Sequence, residues 1–395
     1  MKARRPIVLM LSLFLVLIGF VSLASAGKET SPKSIVSQAG WNSSKLDAAF
    51  DLARNYGTGT LIVMTSGRTI QSMGDIRTPH RVHSVRKALL SALVGQRVGT
   101  GPGQIDLNAT LAQLGVDDHP RPLTRLQKQA TVLHLIKSVS GIDHAAAGEI
   151  PSMTTDKRRR LGETPNVPGT VWAYNNWDYN ALTTIFERST GLSVAEAFMN
   201  GIAQPLGMQD FTPSCVSYSK NEALSRHAKA GFRMSARDLA KFGQLYLNGG
   251  LWKGKRLLSR EWIARITSDF TPTGKKGIRS GHGYLWWVPC DPWSKKANIP
   301  EGTFIATGLG GQRIVVIPPW ETVIVHTVFT DDYFGFCTKW AKKRGMNLDQ
   351  AATYSRTQCR KPEYAETSFC RRCRYYSGGD FETLLLKIIM ARKAH

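Results

Sequence analysis

The spacing of apolar residues changes along the chain from helical to strand-like and back again. Residues 41–55 predict an amphipathic helix, because apolar residues recur there every three or four positions. Its N-cap is Asn42 or Ser43, and its apolar face consists of Leu46, Ala49, Phe50 and Ala53. Residues 60–65 and 68–73 are rich in β-branched and apolar residues, which predicts two strands around a tight turn.

The middle of the chain, from about residue 100 to 260, has a mostly helical pattern. Predicted helical segments lie at residues 131–138, 179–189, 194–199 and 239–247. The last of these starts with a capping box from Ser235 to Asp238 and ends at the Asn-Gly-Gly sequence of residues 248–250.

Strand-like residues return after about residue 280. Predicted strands lie at residues 283–288, 303–307, 313–317 and 322–329, with a Pro-Pro turn before the last and a closing helix at 381–391. Strands near both chain ends, with helices between them, predict an α/β (α+β) fold in which an antiparallel sheet is flanked by helices. We expect residues 27–80 and 260–395 to form the sheet domain, with 331–379 as an insertion, and residues 81–259 to form an inserted all-helical domain.

Residues 1–26 have the pattern of a secretory signal peptide: a basic start, an apolar run and the Ala-Ser-Ala sequence of 24–26. We therefore expect an exported protein, periplasmic or secreted, whose mature chain begins at Gly27 and has no membrane span. An uncleaved membrane anchor is the alternative, because the apolar run is near the lower length limit for spanning.

The formal charge of +23 is unusual for a chain of 395 residues, and removal of the three basic residues of the signal leaves +20. Such a charge favours attraction to anionic envelope polymers. The basic residues are spread widely and form no stripe with aromatic residues, so we expect no specific nucleic-acid partner.

Six cysteines lie in the second half of the chain: Cys215, Cys290, Cys337, Cys359, Cys370 and Cys373. In an exported chain an even number favours disulfides, whose pairing the sequence leaves open. A small zinc knuckle formed by Cys359, Cys370 and Cys373 is the alternative.

The stretch 81–94 carries the strongest chemical signal. It predicts a helix that is apolar on nearly all sides, with Ser84 at its start and Lys87 one turn later on the same face. Burial lowers the pKa of a lysine, so its neutral amine can take a proton from the serine. Ser-x-x-Lys alone is a weak pattern, and Ser84 as a simple N-cap is the plain alternative.

Two further segments add to this pair. Tyr174 and Asn176 form Tyr-x-Asn before a predicted helix, where the tyrosine can relay a proton if positive neighbours lower its pKa, and the asparagine can orient the lysine and the substrate. Gly308 follows a predicted strand, where a glycine allows close approach of a substrate to the backbone. Ordinary turn and hairpin chemistry is the alternative for each segment. The histidines have no metal-binding spacing, so we assign no metal, and we expect no cofactor.

The order of these segments resembles the serine β-lactamase and DD-peptidase superfamily, closest to its class C-like branch with esterases and 6-aminohexanoate-dimer hydrolases. The resemblance rests on three motifs in this order: Ser-Val-Arg-Lys at 84–87, Tyr-Asn-Asn at 174–176 and Thr-Gly at 307–308. The resemblance implies Ser84 as nucleophile, Lys87 as base and Tyr174 as proton relay. It also implies that Asn176 holds the substrate and that backbone N–H groups of Ser84 and a residue near Leu309 form the oxyanion hole. We further expect substrate contacts from Thr307, Gly308 and Leu309 at the end of that strand, and from Trp286 on a strand expected nearby.

One position departs from that resemblance. The superfamily often has lysine or histidine before Thr-Gly, facing a substrate carboxylate, whereas this chain has Ala306. We therefore expect a serine hydrolase that cleaves a small, neutral ester or amide, unless Arg313 or a cation of the helical domain replaces the missing charge. The alternatives are a DD-peptidase or weak β-lactamase acting on peptidoglycan-like substrates, and a catalytically silent envelope-binding protein.

Overall fold

The fold was analysed in a computed structural model that describes residues 32–365, 367–373 and 375–393. The predicted signal peptide, residues 1–26, lies outside the described residues. Within the described part of the chain, each helix is too short or too polar to cross a bilayer.

The helices are short to medium in length and most lie between or after the strands. In chain order they are α1 Pro32–Gln38, α2 Ser43–Asn55, α3 Arg86–Gly95, α4 Val132–Lys137, α5 Pro151–Leu161, α6 Asn176–Thr190, α7 Val194–Phe198, α8 Gln204–Leu206, α9 Ala236–Leu247, α10 Arg260–Ser268, α11 Pro292–Lys296, α12 Thr338–Lys342, α13 Leu348–Gln358, α14 Pro362–Ala365, α15 Ser368–Arg372 and α16 Gly378–Ala391. The strands are β1 Thr60–Thr65, β2 Arg68–Gly74, β3 His80–Arg81, β4 Val216–Asn221, β5 Ser225–Met234, β6 Leu251–Trp252, β7 Lys255–Arg256, β8 Thr271–Pro272, β9 Gly281–Gly283, β10 Trp286–Val288, β11 Phe304–Gly308, β12 Gln312–Ile317 and β13 Thr322–Thr327.

Eight strands form one antiparallel sheet in the order β2-β1-β13-β12-β11-β10-β9-β8. The first strand of the chain lies beside the last, with Thr60 opposite Thr327 and Thr65 opposite Thr322. Strands from the two ends of the chain therefore share one sheet, as the sequence predicts. The boundaries assigned to the two domains, near residues 80 and 260, stay a prediction. The expectation that residues 81–259 are all-helical is wrong, because this region contains the strands β4 to β7.

Both faces of the sheet are covered. In β13, Val323 and Val325 belong to the apolar core shared with α3, α6 and α9, whereas Ile324 belongs to the core shared with α2 and α16. Because side chains alternate between faces along a strand, a continuous apolar run such as this one is buried on both sides. The sheet is thus the middle layer of three, which confirms the predicted α/β class.

The predicted helices at 41–55, 179–189 and 381–391 are confirmed by α2, α6 and α16. Asn42 caps α2 by accepting a hydrogen bond from the backbone N–H of Lys45 at 3.0 Å, and its predicted apolar face is buried. The capping box predicted for α9 is present only in part. Ser235 accepts from the N–H of Asp238, but the Asp238 carboxylate accepts from the N–H groups of residues 209–211.

The single strand predicted at 283–288 is wrong. Tyr284 and Leu285 have φ angles of 51° and 71°, so the chain turns there and β9 pairs with β10 as a hairpin. The sequence pattern does not predict this turn, because its residues are apolar, whereas turns are normally recognised from glycine, proline and polar residues.

The predicted insertion contains α12 to α15 and two disulfides, Cys337–Cys373 and Cys359–Cys370. Cys215 and Cys290 are free, so the expectation that all the cysteines pair is wrong for these two. The zinc-knuckle alternative also fails, because Cys359 and Cys370 bond to each other and Cys373 bonds to Cys337. Among the described residues, no group of three or more His, Cys, Asp and Glu side chains suits a metal ion.

Candidate active site

Three segments distant in sequence meet at one edge of the large sheet. They are the start of α3, the loop before α6, and the end of β11 with the tight turn that follows it. The backbone N–H of Val82 donates to the carbonyl of Phe232 at 3.1 Å, which fixes the segment before α3 against β5. Buried apolar residues of α3 and α6 anchor the first two segments in the same core. The rigid elements behind the site therefore set its geometry.

Ser84 lies in a short 3₁₀ turn, residues His83–Val85, directly before α3. The turn begins with a left-handed residue, His83, whose φ is 48° and whose Nε2 lies 2.7 Å from Thr330 Oγ1. From the first turn of α3, Lys87 Nζ donates to Ser84 Oγ at 2.8 Å. The serine and lysine are thus in direct hydrogen-bond contact, at the separation that proton transfer between them needs.

Lys87 is buried, with an exposed fraction of 2%. Desolvation, together with the positive charges of Arg86 and Lys229, holds the pKa of Lys87 well below its usual value, against a smaller opposing effect of Glu149. Its Nζ lies 4.7 Å from the ring centroids of both Tyr174 and Tyr179, so the two aromatic rings help to exclude water from it. The environment therefore favours the neutral amine, which is the form that can act as a base.

Tyr174 lies beside this pair, with its ring centroid 4.7 Å from Lys87 Nζ and its hydroxyl group close enough to Ser84 for the serine to lower its pKa. Burial raises the pKa of Tyr174 to about 12, and outweighs the lowering effects of Ser84, Arg86 and Arg279. The positive neighbours do lower this pKa, but the net lowering that the sequence-based prediction requires for the relay is absent, because desolvation of the buried phenol is the larger effect. Tyr174 is a neutral phenol at physiological pH, able to donate or pass on a proton but not to act as a phenolate.

Asn175 and Asn176 have different roles in the local structure. Asn175 caps α6 by accepting from the N–H of Trp177 at 3.1 Å, which is the turn chemistry that the sequence offers as an alternative. Asn176, 2% exposed, donates from Nδ2 to the carbonyl of Gly148 at 2.8 Å. Its Oδ1 is buried and has no hydrogen-bond partner among the residues that the structure describes. Asn176 thus fixes the loop around Gly148 beside the site.

The end of β11 lies directly against the candidate nucleophile. A Cβ added at Gly308 would lie 2.4 Å from the carbonyl oxygen of Val82 and 3.2 Å from the backbone nitrogen of Ser84. Any residue can adopt the φ of Gly308, which is −127°. Glycine is therefore required here by the close contact, which leaves no room for a Cβ, and not by the backbone conformation. Thr307 is partly exposed beside it, and Leu309 packs against the disulfide-linked cluster around Cys337 and Cys370.

Trp286 is not brought to this site. It is fully buried in the core against Tyr246 and Phe304, with ring centroids 4.7 and 5.0 Å away. The neighbouring Trp287, which points to the other face of the sheet, stacks on Tyr174 at 5.4 Å. The prediction of Trp286 as a substrate-binding residue is therefore wrong, because adjacent residues of β10 face opposite sides of the sheet and Trp286 is the one that faces the core.

Neither the position before Thr-Gly nor Arg313 places a cation in the site. Ala306 is 2% exposed and belongs to the core shared with the helices. The Arg313 guanidinium donates to the carbonyls of Gly308 and Gln312 at 2.7 and 2.8 Å and lies over the ring of Phe381 in α16. Arg313 therefore supports the backbone from the opposite face of the sheet.

Sequence reasoning missed several groups around the site. Lys229 of β5 and Arg86 of α3 both lower the pKa of Lys87. Behind Asn175, a buried carboxylate, Asp178, accepts from Ser140 Oγ at 2.6 Å and from Asn175 Nδ2 at 3.0 Å. Ser140 lies in the Ser-Gly sequence that follows α4, but no local pattern connects it with Asp178. These contacts depend on tertiary packing and leave no periodic signal in the sequence.

A comparison with known families matches the part of the chain that contains this arrangement. The family profile described as Beta-lactamase matches residues 47–343, which is more than half of the chain. The match includes α3, α6 and β11, so it covers all three segments that meet at the site.

Curated relatives are distant. An uncharacterized protein of Alkalihalophilus pseudofirmus is 24% identical over 276 residues, covering 63% of this chain and 73% of the relative. The 6-aminohexanoate-dimer hydrolase of Paenarthrobacter ureafaciens is 24% identical over 155 residues, or 38% of each chain. Among solved structures, a candidate 6-aminohexanoate-dimer hydrolase from Bacillus anthracis has a TM-score of 0.51 at 20% identity, covering 78% of this chain and 82% of its own. At such identity the last likeness concerns the fold alone.

Proposed function

The chain belongs to the beta-lactamase family of hydrolases, and from that premise we propose that it is an exported serine hydrolase that cleaves a small ester or amide through an acyl-enzyme on Ser84. The observation that carries the proposal is the 2.8 Å hydrogen bond from Lys87 Nζ to Ser84 Oγ, made by a lysine that is 2% exposed. A buried lysine without a directly paired acid favours its neutral form, and a neutral amine at this distance can activate a hydroxyl group.

The first step is attack on the carbonyl carbon of the substrate. Ser84 Oγ forms the new C–O bond while its proton passes to Lys87 Nζ. Collapse of the tetrahedral intermediate breaks the bond to the leaving group, which takes a proton from Lys87 through the hydroxyl of Tyr174. A neutral Tyr174 suits this relay, because it can accept one proton as it donates another.

Negative charge develops on the carbonyl oxygen during that attack. We assign two backbone donors to this oxyanion: the N–H of Ser84 and an N–H in the turn after Gly308, near Leu309. The close contact of Gly308 with the backbone of Ser84 supports the assignment, since it puts the two backbone segments side by side. Asn176 and Thr307 border the same space and are assigned to substrate binding.

Hydrolysis of the acyl-enzyme completes the cycle. A water molecule loses a proton to Lys87 as its oxygen attacks the acyl carbon, and Ser84 Oγ leaves with that proton. The Paenarthrobacter ureafaciens relative is a 6-aminohexanoate-dimer hydrolase, and this name supports a small substrate here as well.

Two labelling probes test the proposal. A fluorophosphonate should label the purified wild-type protein and leave Ser84→Ala unlabelled, because the probe reacts with an activated serine. Lys220→Ala is a matched control, since Ser217 and Lys220 have the same spacing on an exposed strand. Signal from the fluorophosphonate alone supports an esterase or amidase, whereas additional signal from a fluorescent penicillin supports a DD-peptidase or β-lactamase. No signal from either probe contradicts the proposal and favours a catalytically silent envelope-binding protein.

A further inference from the structure

One lysine near the candidate nucleophile has no counter-ion within the described part of the chain. Lys229 lies on β5, three residues before Phe232, whose carbonyl accepts from the backbone of Val82. Its side chain makes no hydrogen bond or salt bridge to any residue that the structure describes, and it is only partly exposed. A half-buried lysine that has no partner among the described residues and lies beside a reactive group is a candidate for ligand binding.

The side chain of Lys229 runs along the loop that borders the site. A Cβ added at Gly148 would lie 2.7 Å from Lys229 Cδ and 3.7 Å from both Lys229 Cε and Asn176 Nδ2. Lys229 and Asn176 therefore lie on the same side of Gly148, whose carbonyl accepts the hydrogen bond from Asn176. Its charge is also close enough to lower the pKa values of Lys87 and His83.

The other charges around the nucleophile are already satisfied or are positive as well. Glu149 is 2.7 Å from Lys157, with which it forms a buried pair. Asp331 binds His80 and Arg233 at 2.9 Å each. Arg86 is buried and donates to Asn180 Oδ1. Desolvation and the positive charges of Arg86 and Arg81 lower the pKa of Lys229, as expected for a cation without an anion nearby.

We propose that Lys229 binds a carboxylate of the substrate, so that the natural ester or amide is anionic. The carboxylate would form a charge-assisted hydrogen bond with Lys229 Nζ and so offset the burial of that cation. This inference rests on the proposed function, because it names the substrate class of the same site. It also reverses the expectation of a neutral substrate that follows from Ala306, since the cation comes from β5 of the helical region.

Three chromogenic esters test the proposal. 4-Nitrophenyl hexanoate is neutral, mono-4-nitrophenyl adipate adds a carboxylate to the acyl group, and 3-carboxy-4-nitrophenyl hexanoate adds one to the leaving group. The measured quantity is the kcat/KM of each charged ester relative to the neutral ester, after subtraction of the rate with Ser84→Ala. At least one of the two ratios should fall about 10- to 100-fold in Lys229→Met, as expected for the loss of a hydrogen bond to a charged group.

Two further variants make the result specific. Lys229→Arg keeps the cation and should retain most of the preference, whereas Lys255→Met removes the same charge from an exposed hairpin and should leave both ratios unchanged. The preference of the wild-type protein should also weaken at high salt, because ions screen the partly exposed pair.

The outcomes separate this inference from the proposed function. Hydrolysis that depends on Ser84, with the neutral ester preferred by the wild-type protein, would overturn the role of Lys229 and leave the serine hydrolase intact. The same holds if Lys229→Met and Lys255→Met change both ratios equally. Absence of Ser84-dependent turnover of all three esters would contradict the proposed function itself. The wild-type ratios decide the question even if Lys229→Met does not fold.

Discussion

Substitution of Gly308 by alanine should lower activity strongly while the protein still folds. The added Cβ would lie 2.4 Å from the carbonyl oxygen of Val82, whereas ordinary contacts begin at 3.4 Å. The end of β11 and the segment before α3 must therefore separate by about 1 Å, and a displacement of that size at a reacting centre lowers rates by about 100-fold. The φ of −127° suits alanine, so the stability loss is that of overpacking, about 1–3 kcal/mol.

The assay combines kcat/KM for a 4-nitrophenyl ester with urea unfolding of the same protein. Gly379→Ala is the matched control: its new Cβ would meet nothing closer than Ser377 Oγ at 3.9 Å, in the first turn of α16. We expect wild-type activity and equal or slightly higher stability for that variant, because alanine favours helices. A Gly308→Ala protein with wild-type kcat/KM would refute the reasoning, since the two backbone segments would then not need their close contact.

Three other predictions follow from the same contacts. The kcat/KM should fall as the pH drops through the lowered pKa of Lys87, because the protonated amine cannot take a proton. Lys229→Met removes a positive neighbour of Lys87 and should therefore move that fall to higher pH. A pH profile that is flat down to the acid limit of stability would contradict this. Titration of the denatured, unreduced protein should find two thiols, those of Cys215 and Cys290, and six thiols would rule out the disulfides. Asp238→Ala should lower the free energy of unfolding by roughly 3 kcal/mol or more, because three backbone N–H groups lose their acceptor. Wild-type stability of this variant in urea would show that these hydrogen bonds are dispensable.

Much of the fold could be predicted because its signals are local and periodic. The apolar face of α2 and the β-branched residues of β12 and β13 define their elements without tertiary information. The Ser84–Lys87 spacing is equally local, since one helical turn brings the two side chains together. By contrast, the turn at Tyr284 and Leu285 is formed by apolar residues that also suit a strand.

The features that the sequence does not predict depend on contacts between distant segments. Lys229 lies near Ser84 only because β5 hydrogen-bonds to Val82, about 150 residues earlier in the chain. The raised pKa of Tyr174 results from burial among aromatic rings contributed by several elements. Disulfide pairing likewise depends on how α12 to α15 pack, and a count of cysteines does not determine it.

Trapping of the acyl-enzyme tests the central claim most directly. A slowly hydrolysed 4-nitrophenyl ester should be mixed with the protein, quenched in acid and digested with trypsin, which cuts after Arg81 and Arg86. We predict that the peptide of residues 82–86, in which Ser84 is the only hydroxyl-bearing residue, gains the mass of one acyl group, and that Ser84→Ala gains none there. Acylation of a different peptide during turnover, or turnover by Ser84→Ala at the wild-type rate, would contradict the assignment of Ser84 as the nucleophile.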